Sequence, residues 1–380
     1  MTEHFETIVV GGGLMGSATA WQLAKRGREV MLLERFDQTH KKGASHGSTR
    51  NFNVGYTERH YLDLVKEAGK LWRELEAESG ASLLDLVGMA NHGRGVPEDH
   101  VDILRANGFR AEWVSLEEAA ERWTGFAWDT RVLYTPDGGR VNPFAGILAF
   151  QDVAAELGAT IKHGTQVLSV AERSDGTVEV VTEGTTYTCD TVVVTVGAWT
   201  NKLVGAKFAY PRLYVTQEQP AHFEIVDRTA EWPSFNHRPV LTDPEFAWFY
   251  SPVYGMLTPG EGIKAGWHAV GVQVDPDNRS FEAEPAMMRG LQRYAREFLP
   301  GVDPESFETI SCTYTMSPDE AFILDRRGSI VLGAGFSGQG AKFTPAIGRV
   351  LADFVTDPDA RAIPAFAADR PTLPRMGLEA

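Results

Sequence analysis

The stretch TIVVGGGLMG, Thr7 to Gly16, decides how the rest of the chain is read. A short apolar run, Thr7 to Val10, passes directly into Gly11, Gly12 and Gly13, and Gly16 completes a GxGxxG spacing. A second apolar run, Val30 to Leu33, ends on Glu34, 23 residues after Gly11. Strand, glycine turn, helix, strand, acid is the order of a dinucleotide-binding βαβ unit. Gly11 permits the tight turn, and Gly13 lets the backbone approach a pyrophosphate whose charge faces the helix N-terminus. Gly16 lets helix and strand pack closely, and the Glu34 carboxylate accepts hydrogen bonds from an adenosine ribose.

The chain around this unit has 380 residues, enough for two or three cores. Acidic residues outnumber basic ones 51 to 36, and the formal net charge of -15 opposes nucleic acid and anionic membrane surfaces. Small molecules are the expected partners. No apolar run reaches the length that crosses a bilayer, and Thr2, Glu3 and His4 do not form a basic signal region, so a cytoplasmic protein is expected. The two cysteines, Cys189 and Cys312, stand far apart, which excludes a disulfide framework or a cysteine-rich zinc site. The histidines show no HxxxH pair, and no metal is expected.

Ser17, Ala18, Ala20, Leu23 and Ala24 make a small-residue helical face that Gly27 is placed to end. Asp37 to Tyr56 is rich in Gly, Ser, His and Thr without an apolar period, and reads as an extended loop. Helices are predicted over Tyr61 to Ser79 and Gly146 to Leu157, and a buried strand over Thr191 to Val196. From Pro211 to Tyr314 aromatic and alternating residues punctuated by Pro and Gly predict antiparallel strands, hence a second domain. Ile330 to Leu332 then leads into Gly333, Gly335, Gly338 and Gly340, with Thr344 as the expected N-cap and Pro345 at the first position of a final amphipathic helix.

Five further segments accompany the opening turn: GASHGSTR (Gly43 to Arg50), VTVGAWTNKL (Val194 to Leu203), GIKAGWH (Gly262 to His268), CTYTMSPDEAFILD (Cys312 to Asp325) and GAGFSGQGAKF (Gly333 to Phe343). With them the chain resembles the monomeric sarcosine oxidase and N-methyltryptophan oxidase family of flavin amine oxidases. The resemblance implies an α/β fold with a Rossmann-like FAD-binding domain and a substrate domain on a largely antiparallel sheet. The FAD domain would be discontinuous, over 1–82, 150–215 and 318–380, with the substrate domain over 83–149 and 216–317. It also implies a monomer that contacts FAD through Ser45, His46, Thr49, Arg50, Gly338 and Gly340, with covalent attachment through Cys312.

For chemistry, GIKAGWH is the most informative segment. Alternation puts Lys264, Gly266 and His268 on one face of a strand and Ile263, Ala265 and Trp267 on the other, with Gly266 leaving room for something planar. The resemblance makes Lys264 the residue that activates oxygen, its charge stabilising developing superoxide, while His268 shapes the substrate pocket. Among the aromatic residues between Trp232 and Trp267, most are expected to pack the sheet, and Tyr254 matches the family's active-site tyrosine. Arg50 is expected beside the flavin ring, favouring its anionic reduced form, and Lys342 within reach of a substrate carboxylate or the flavin pyrimidine. Tyr314 is a further pocket candidate.

Two positions depart from the family. Asn53 stands where the sarcosine oxidase pattern has an arginine that holds the substrate carboxylate, and Gln339 stands where it has a histidine. A neutral amide cannot replace two parallel charged hydrogen bonds. The resemblance thus implies an FAD-dependent oxidase of a secondary amine or N-methyl amino acid, with imine and H2O2 as products and O2 as acceptor. Its rivals are a dehydrogenase of the same fold with another electron acceptor and a flavin-binding module without catalysis.

Overall fold

The structure is a computed structural model that describes residues 3–38, 40–205 and 207–370. Residues 371–380 of the last expected segment lie outside the described residues. The described strands form two eight-stranded and two three-stranded sheets.

The first large sheet is organised on five parallel strands in the spatial order Ile330–Ala334, Thr186–Val194, Glu3–Val10, Val30–Leu33, Thr160–Lys162. Val9, Leu32 and Val193 lie in register across its centre, each fully buried. Such runs are apolar on both faces because both faces are covered. Helices Leu14–Lys25, Arg59–Ser79, Pro143–Glu156 and Thr344–Thr356 cover one face, where Gly348 lets the last helix approach so closely that a Cβ there would lie 2.6 Å from the Ala18 backbone. The turns at Gly11, Thr195 and Gly335 all follow the C-terminal ends of parallel strands. Ligands of open α/β sheets bind at that edge.

The second large sheet runs in the order Val302–Thr309, Ala221–Ile225, Gly262–Trp267, Val253–Thr258, Ser234–His237, Met89–His92, Val132–Thr135, Glu112–Val114. It is antiparallel except where Ser234–His237 pairs with Met89–His92. One face packs an aromatic core with Phe235, Trp267, Leu291 and Tyr294. The other carries Tyr254, Lys264 and Gly266. Among the described residues no helix is long and apolar enough to cross a membrane.

Four local expectations change. The loop from Asp37 to Tyr56 contains a strand, Arg50–Phe52, which pairs with Gly139–Val141. Pro285–Phe298, expected within a strand region, is a helix whose Glu284 side chain accepts from the Ala286 and Met287 N–H groups. The helix expected from Gly146 starts at Pro143, capped by the Asn142 side chain on the Ala145 N–H, so the expected junction at residue 150 falls inside one unbroken helix. Thr344 is the first residue of its helix, and its hydroxyl donates back to the Ala341 carbonyl at 2.8 Å instead of capping.

Candidate active site

A cavity of about 300 Å³ opens at the C-terminal edge of the parallel sheet. Gly11 turns the chain there at φ +101°, where a Cβ would meet the Thr195 carbonyl oxygen at 2.6 Å. At Gly16 a Cβ would sit 1.8 Å from the Gly11 carbonyl oxygen, so no larger residue fits between strand and helix. Gly13 precedes the first helix and faces the cavity, leaving the helix N-terminus open to an anion. Glu34, 6% exposed, is aimed into the same space by the Gly12 and Phe36 N–H groups, which donate to its carboxylate at 2.6 and 2.8 Å.

The loop that follows closes over this end. The Ser45 hydroxyl accepts from the Leu14 N–H at 3.2 Å, tying the loop to the first helix. His46 is buried with its Nε2 unpartnered. Burial, then the charges of Arg50, Lys264 and Arg279, pushes its pKa down to about 3, so it is a neutral ring at physiological pH. Arg50 donates to the Thr49 and Ala44 carbonyls at 2.8 and 3.1 Å and to the Cys312 sulfur at 3.6 Å. Both Arg50 and Cys312 line the cavity. Cys189 is different: it lies in the core of the parallel sheet, where burial raises its pKa to about 12.

Lys264 reaches this loop from the second sheet. Its ammonium, 1% exposed, donates to the Thr49 carbonyl at 2.9 Å and the Thr49 hydroxyl at 3.1 Å. Both acceptors are neutral. Burial, reinforced by Arg50, lowers its pKa to about 7. The Thr49 hydroxyl meets the Thr258 hydroxyl at 2.6 Å, and His222 Nε2 meets the same Thr258 at 3.1 Å. His222 and Thr258 were not singled out in the sequence. His222 is the register partner of Lys264, and Thr258 ends the adjacent strand, so a correct hairpin and strand pairing would have found both.

Of the pocket candidates, Tyr314 lines the cavity, whereas Tyr254, His268, Lys342, Gln339 and Asn53 lie outside its lining. Tyr254 is the register partner of Gly266, and a Cβ at Gly266 would lie 2.8 Å from the Tyr254 hydroxyl. The space over that glycine, expected for a planar ligand, is therefore filled by Tyr254. Burial raises the Tyr254 pKa to about 12. Tyr314 lies over Gly338, where a Cβ would come within 2.2 Å of its ring, and its ring centroid is 5.6 Å from that of His268. Burial, then Lys342 and Arg238, lowers the His268 pKa to about 4. Lys342, 6% exposed, donates to the Tyr56 hydroxyl at 3.0 Å and the Gln339 carbonyl at 2.9 Å, and burial lowers its pKa to about 7. Gln339 accepts from the Tyr56 hydroxyl at 3.1 Å. Asn53 turns to its own backbone, accepting from the Gly55 N–H at 2.8 Å. Gly340 lines the cavity beside Met15 and Phe336.

One cluster stands apart. His92 and His237 stack at 4.0 Å between centroids and both bond Asp129, at 2.8 and 3.1 Å, inside the aromatic core of the second sheet. These three ligand-type side chains, with Asp129 and His237 lying 37 and 145 residues after His92, show no spacing a sequence reading could use.

The cavity fits a bound dinucleotide: two glycines without room for a Cβ, an open helix N-terminus and a carboxylate aimed inward are the donor set that such a ligand requires. The sequence pattern of the family described as FAD dependent oxidoreductase matches residues 6–354. Monomeric sarcosine oxidase from Bacillus sp. (strain NS-129) is 30% identical over 373 residues, covering 94% of each chain. N-methyl-L-tryptophan oxidase from Yersinia pestis (strain Pestoides F) is 28% identical over 96% of this chain and 99% of its own. Among solved structures, the open form of NikD, an unusual amino acid oxidase essential for nikkomycin biosynthesis, superposes with a TM-score of 0.86 at 28% identity over 97% of this chain and 98% of that one. The chain belongs to the FAD-dependent oxidoreductase family, among the flavin-dependent amine oxidases related to sarcosine oxidase and N-methyltryptophan oxidase.

Proposed function

We propose that the protein oxidises the C–N bond of a small secondary amine or N-methyl amino acid to an imine, which water hydrolyses, while O2 is reduced to H2O2. FAD is proposed to be attached covalently through the Cys312 sulfur. The observation that carries this reading is Lys264: an ammonium buried without a carboxylate partner among the described residues, held by Thr49, whose neighbour Arg50 reaches the Cys312 sulfur. A buried charge is costly when it has no counter-charge, and such sites are usually functional.

Bound FAD would accept the hydride equivalent from the carbon beside the amine nitrogen and pass two electrons to O2. The chain's own residues set the conditions. Gly11, Gly13, Gly16 and Glu34 would hold the dinucleotide, with Ser45, His46, Thr49 and Arg50 closing over it and Gly338 and Gly340 lining its far wall. Lys264 holds a preorganised positive charge where negative charge develops on oxygen. Tyr254, Tyr314 and His268, the last uncharged at neutral pH, form a weakly polar wall that favours the neutral, oxidisable amine over its ammonium. Lys342 and Gln339 meet at the Tyr56 hydroxyl.

We further propose that the FAD-binding domain comprises 1–82, 143–215 and 318–380 and the substrate domain 83–142 and 216–317, the junction at 150 being moved to the loop before the helix Pro143–Glu156. The monomeric sarcosine oxidases among its relatives support a monomer.

The test compares both half-reactions in the wild type and in Lys264→Met. An amine from a panel of N-methyl and cyclic amines should bleach the flavin anaerobically in both proteins. Reoxidation by air should form peroxide in the wild type and slow at least a hundredfold, about 2.7 kcal/mol, in the variant. Bleaching without peroxide would favour a dehydrogenase, and equal loss of both half-reactions would remove Lys264 from the oxygen step. Acid precipitation tests the linkage: yellow protein supports attachment through Cys312, a yellow supernatant refutes it.

A further inference from the structure

Asn53 cannot serve a substrate carboxylate as an arginine would: it is neutral, and its Oδ1 is committed to the Gly55 N–H. Another guanidinium lies on the substrate side. The strand Ser234–His237 alternates, with Phe235 and His237 fully buried in the aromatic core. Asn236 and Arg238 therefore belong to the opposite face, which Asn236 shares with its register partner Tyr254. His237 pairs with Val253, so Arg238 comes level with Pro252, whose carbonyl accepts the His268 N–H at 3.2 Å.

The backbone at this position is pinned. The Arg238 N–H donates to the His92 carbonyl at 2.8 Å, and its carbonyl accepts from the Gly95 N–H at 2.7 Å. Gly93, at φ +96°, leaves room for that carbonyl, because a Cβ would lie 2.4 Å from it. The side chain is exposed and meets no carboxylate among the described residues, whereas nearby Arg94 pairs with Asp243 at 2.9 Å. Lys342 likewise has only the neutral Tyr56 hydroxyl and Gln339 carbonyl. The charge of Arg238 reaches Tyr56, His100 and His268, lowering the pKa of each against or along with the larger effect of burial. Arg238 and Lys342 thus both bear on His268, and neither meets a carboxylate among the described residues, although Glu58 acts on Tyr56 and His100 in the opposite direction.

We propose that Arg238 is a specificity-determining residue that binds a carboxylate of the amine substrate, so that the guanidinium comes from the substrate-side sheet and not from the loop that carries Asn53. The inference rests on the amine oxidation proposed above. It commits the substrate to a carboxylate-bearing amine, with Lys342 as the inner cation and Arg238 as the outer one. A planar fork can hold both carboxylate oxygens, which a lysine at the same place cannot.

The experiment uses the holoenzyme and probes that cannot be oxidised. Acetate and propionate, set against acetamide and propionamide, are titrated while the flavin absorbance is followed. The wild type should bind the carboxylates at least tenfold more tightly than the amides. Arg238→Gln should weaken carboxylate binding by roughly tenfold to a hundredfold and leave the amides unchanged, and Arg238→Lys should restore part of the loss. Carboxylate binding that is unaltered in Arg238→Gln, or a wild type that does not distinguish acids from amides, overturns the proposal. Turnover separates it from the oxidase reading. If carboxylate binding depends on Arg238 but no amine bleaches the flavin, the oxidase reading fails and the anion site stands. If amines bleach the flavin with the same carboxylate preference in both proteins, the oxidase reading stands and this assignment fails.

Discussion

Lys264 is the residue on which the proposed chemistry and stability conflict. It sits 1% exposed with only neutral acceptors, and its pKa falls to about 7, as does that of buried Lys342. In the unfolded chain both lysines titrate near their ordinary value of about 10.4. From about pH 7 upward the unfolded state therefore holds protons that the folded state has released, and stability rises with pH. The gain continues until the unfolded lysines also deprotonate. Cys189 works in the opposite direction above about pH 9, because its raised pKa keeps it protonated while the unfolded thiol ionises. Urea unfolding of the apoprotein should show stability increasing between pH 7 and 9, and Lys264→Met should flatten that slope while raising stability at pH 7. A slope unchanged by the substitution would mean that Lys264 is not desolvated as described. Alternation in GIKAGWH put Lys264 on one face with Gly266 and His268, and the family resemblance made it a candidate. Its partners were not legible, since Thr49 and His222 are distant in sequence and adjacent only through sheet pairing.

At the scale of the element, the opening βαβ unit behaves as its spacing predicts because each glycine answers a local steric demand. Gly16→Ala would drive a Cβ to within 1.8 Å of the Gly11 carbonyl oxygen and separate strand from helix. Thermal unfolding should show a loss of about 3 kcal/mol, and FAD retention should fall with it. Gly184→Ala is the control: it meets nothing within 4 Å and should change stability by less than about 0.5 kcal/mol. Equal effects at the two positions would contradict the close packing at Gly16. The helix Pro285–Phe298 shows where element reading failed. Its buried Met288, Leu291, Tyr294 and Ala295 follow a helical period, and Glu284 with Pro285 forms a good start. The signal was hidden because the surrounding hundred residues are aromatic, proline-rich strands. At Thr344 the error was one of role: a hydroxyl at the start of a helix can bond back to a preceding carbonyl as well as cap forward.

Across the whole molecule, the segment between the strands of the second sheet and helix Pro285–Phe298 crosses to the nucleotide side. Asp277 accepts from Arg35 at 2.7 Å, from the Trp199 indole at 2.8 Å and from Lys202 at 2.5 Å, at the wall of the cavity. Those cations lower its carboxyl pKa, although burial opposes them. Arg279, two residues on, is buried and donates to the Ser311 hydroxyl at 2.8 Å and to the Lys41 and Lys42 carbonyls at 3.1 and 3.2 Å. The segment thus ties the second sheet to the loop over the cavity. The Asp277 pairs are partly exposed, so their worth is modest. Asp277→Ala should make FAD uptake by the apoprotein faster and raise protease cleavage near residue 277 severalfold, with little change in melting temperature; unchanged uptake and cleavage would show that Asp277 does not hold this segment closed.

The glycine spacing, the apolar runs and the acid at Glu34 determined the dinucleotide fold from sequence alone, because turns, strand burial and helix packing depend on contacts close along the chain. Lys264, Cys312, Tyr254 and Arg50 were also readable as candidates, since they stand in short recognisable segments. Tertiary structure alone decided what each one faces. It gave Lys264 neutral partners, turned Asn53 to its own backbone, filled the space over Gly266 with Tyr254 and left Arg238, after the strand Ser234–His237, exposed and without a carboxylate among the described residues. The physical reason is that charge and hydrogen-bond partners in this site come from strands and loops scores to hundreds of residues apart. Their juxtaposition is a property of sheet register and domain contact, and no local pattern encodes it.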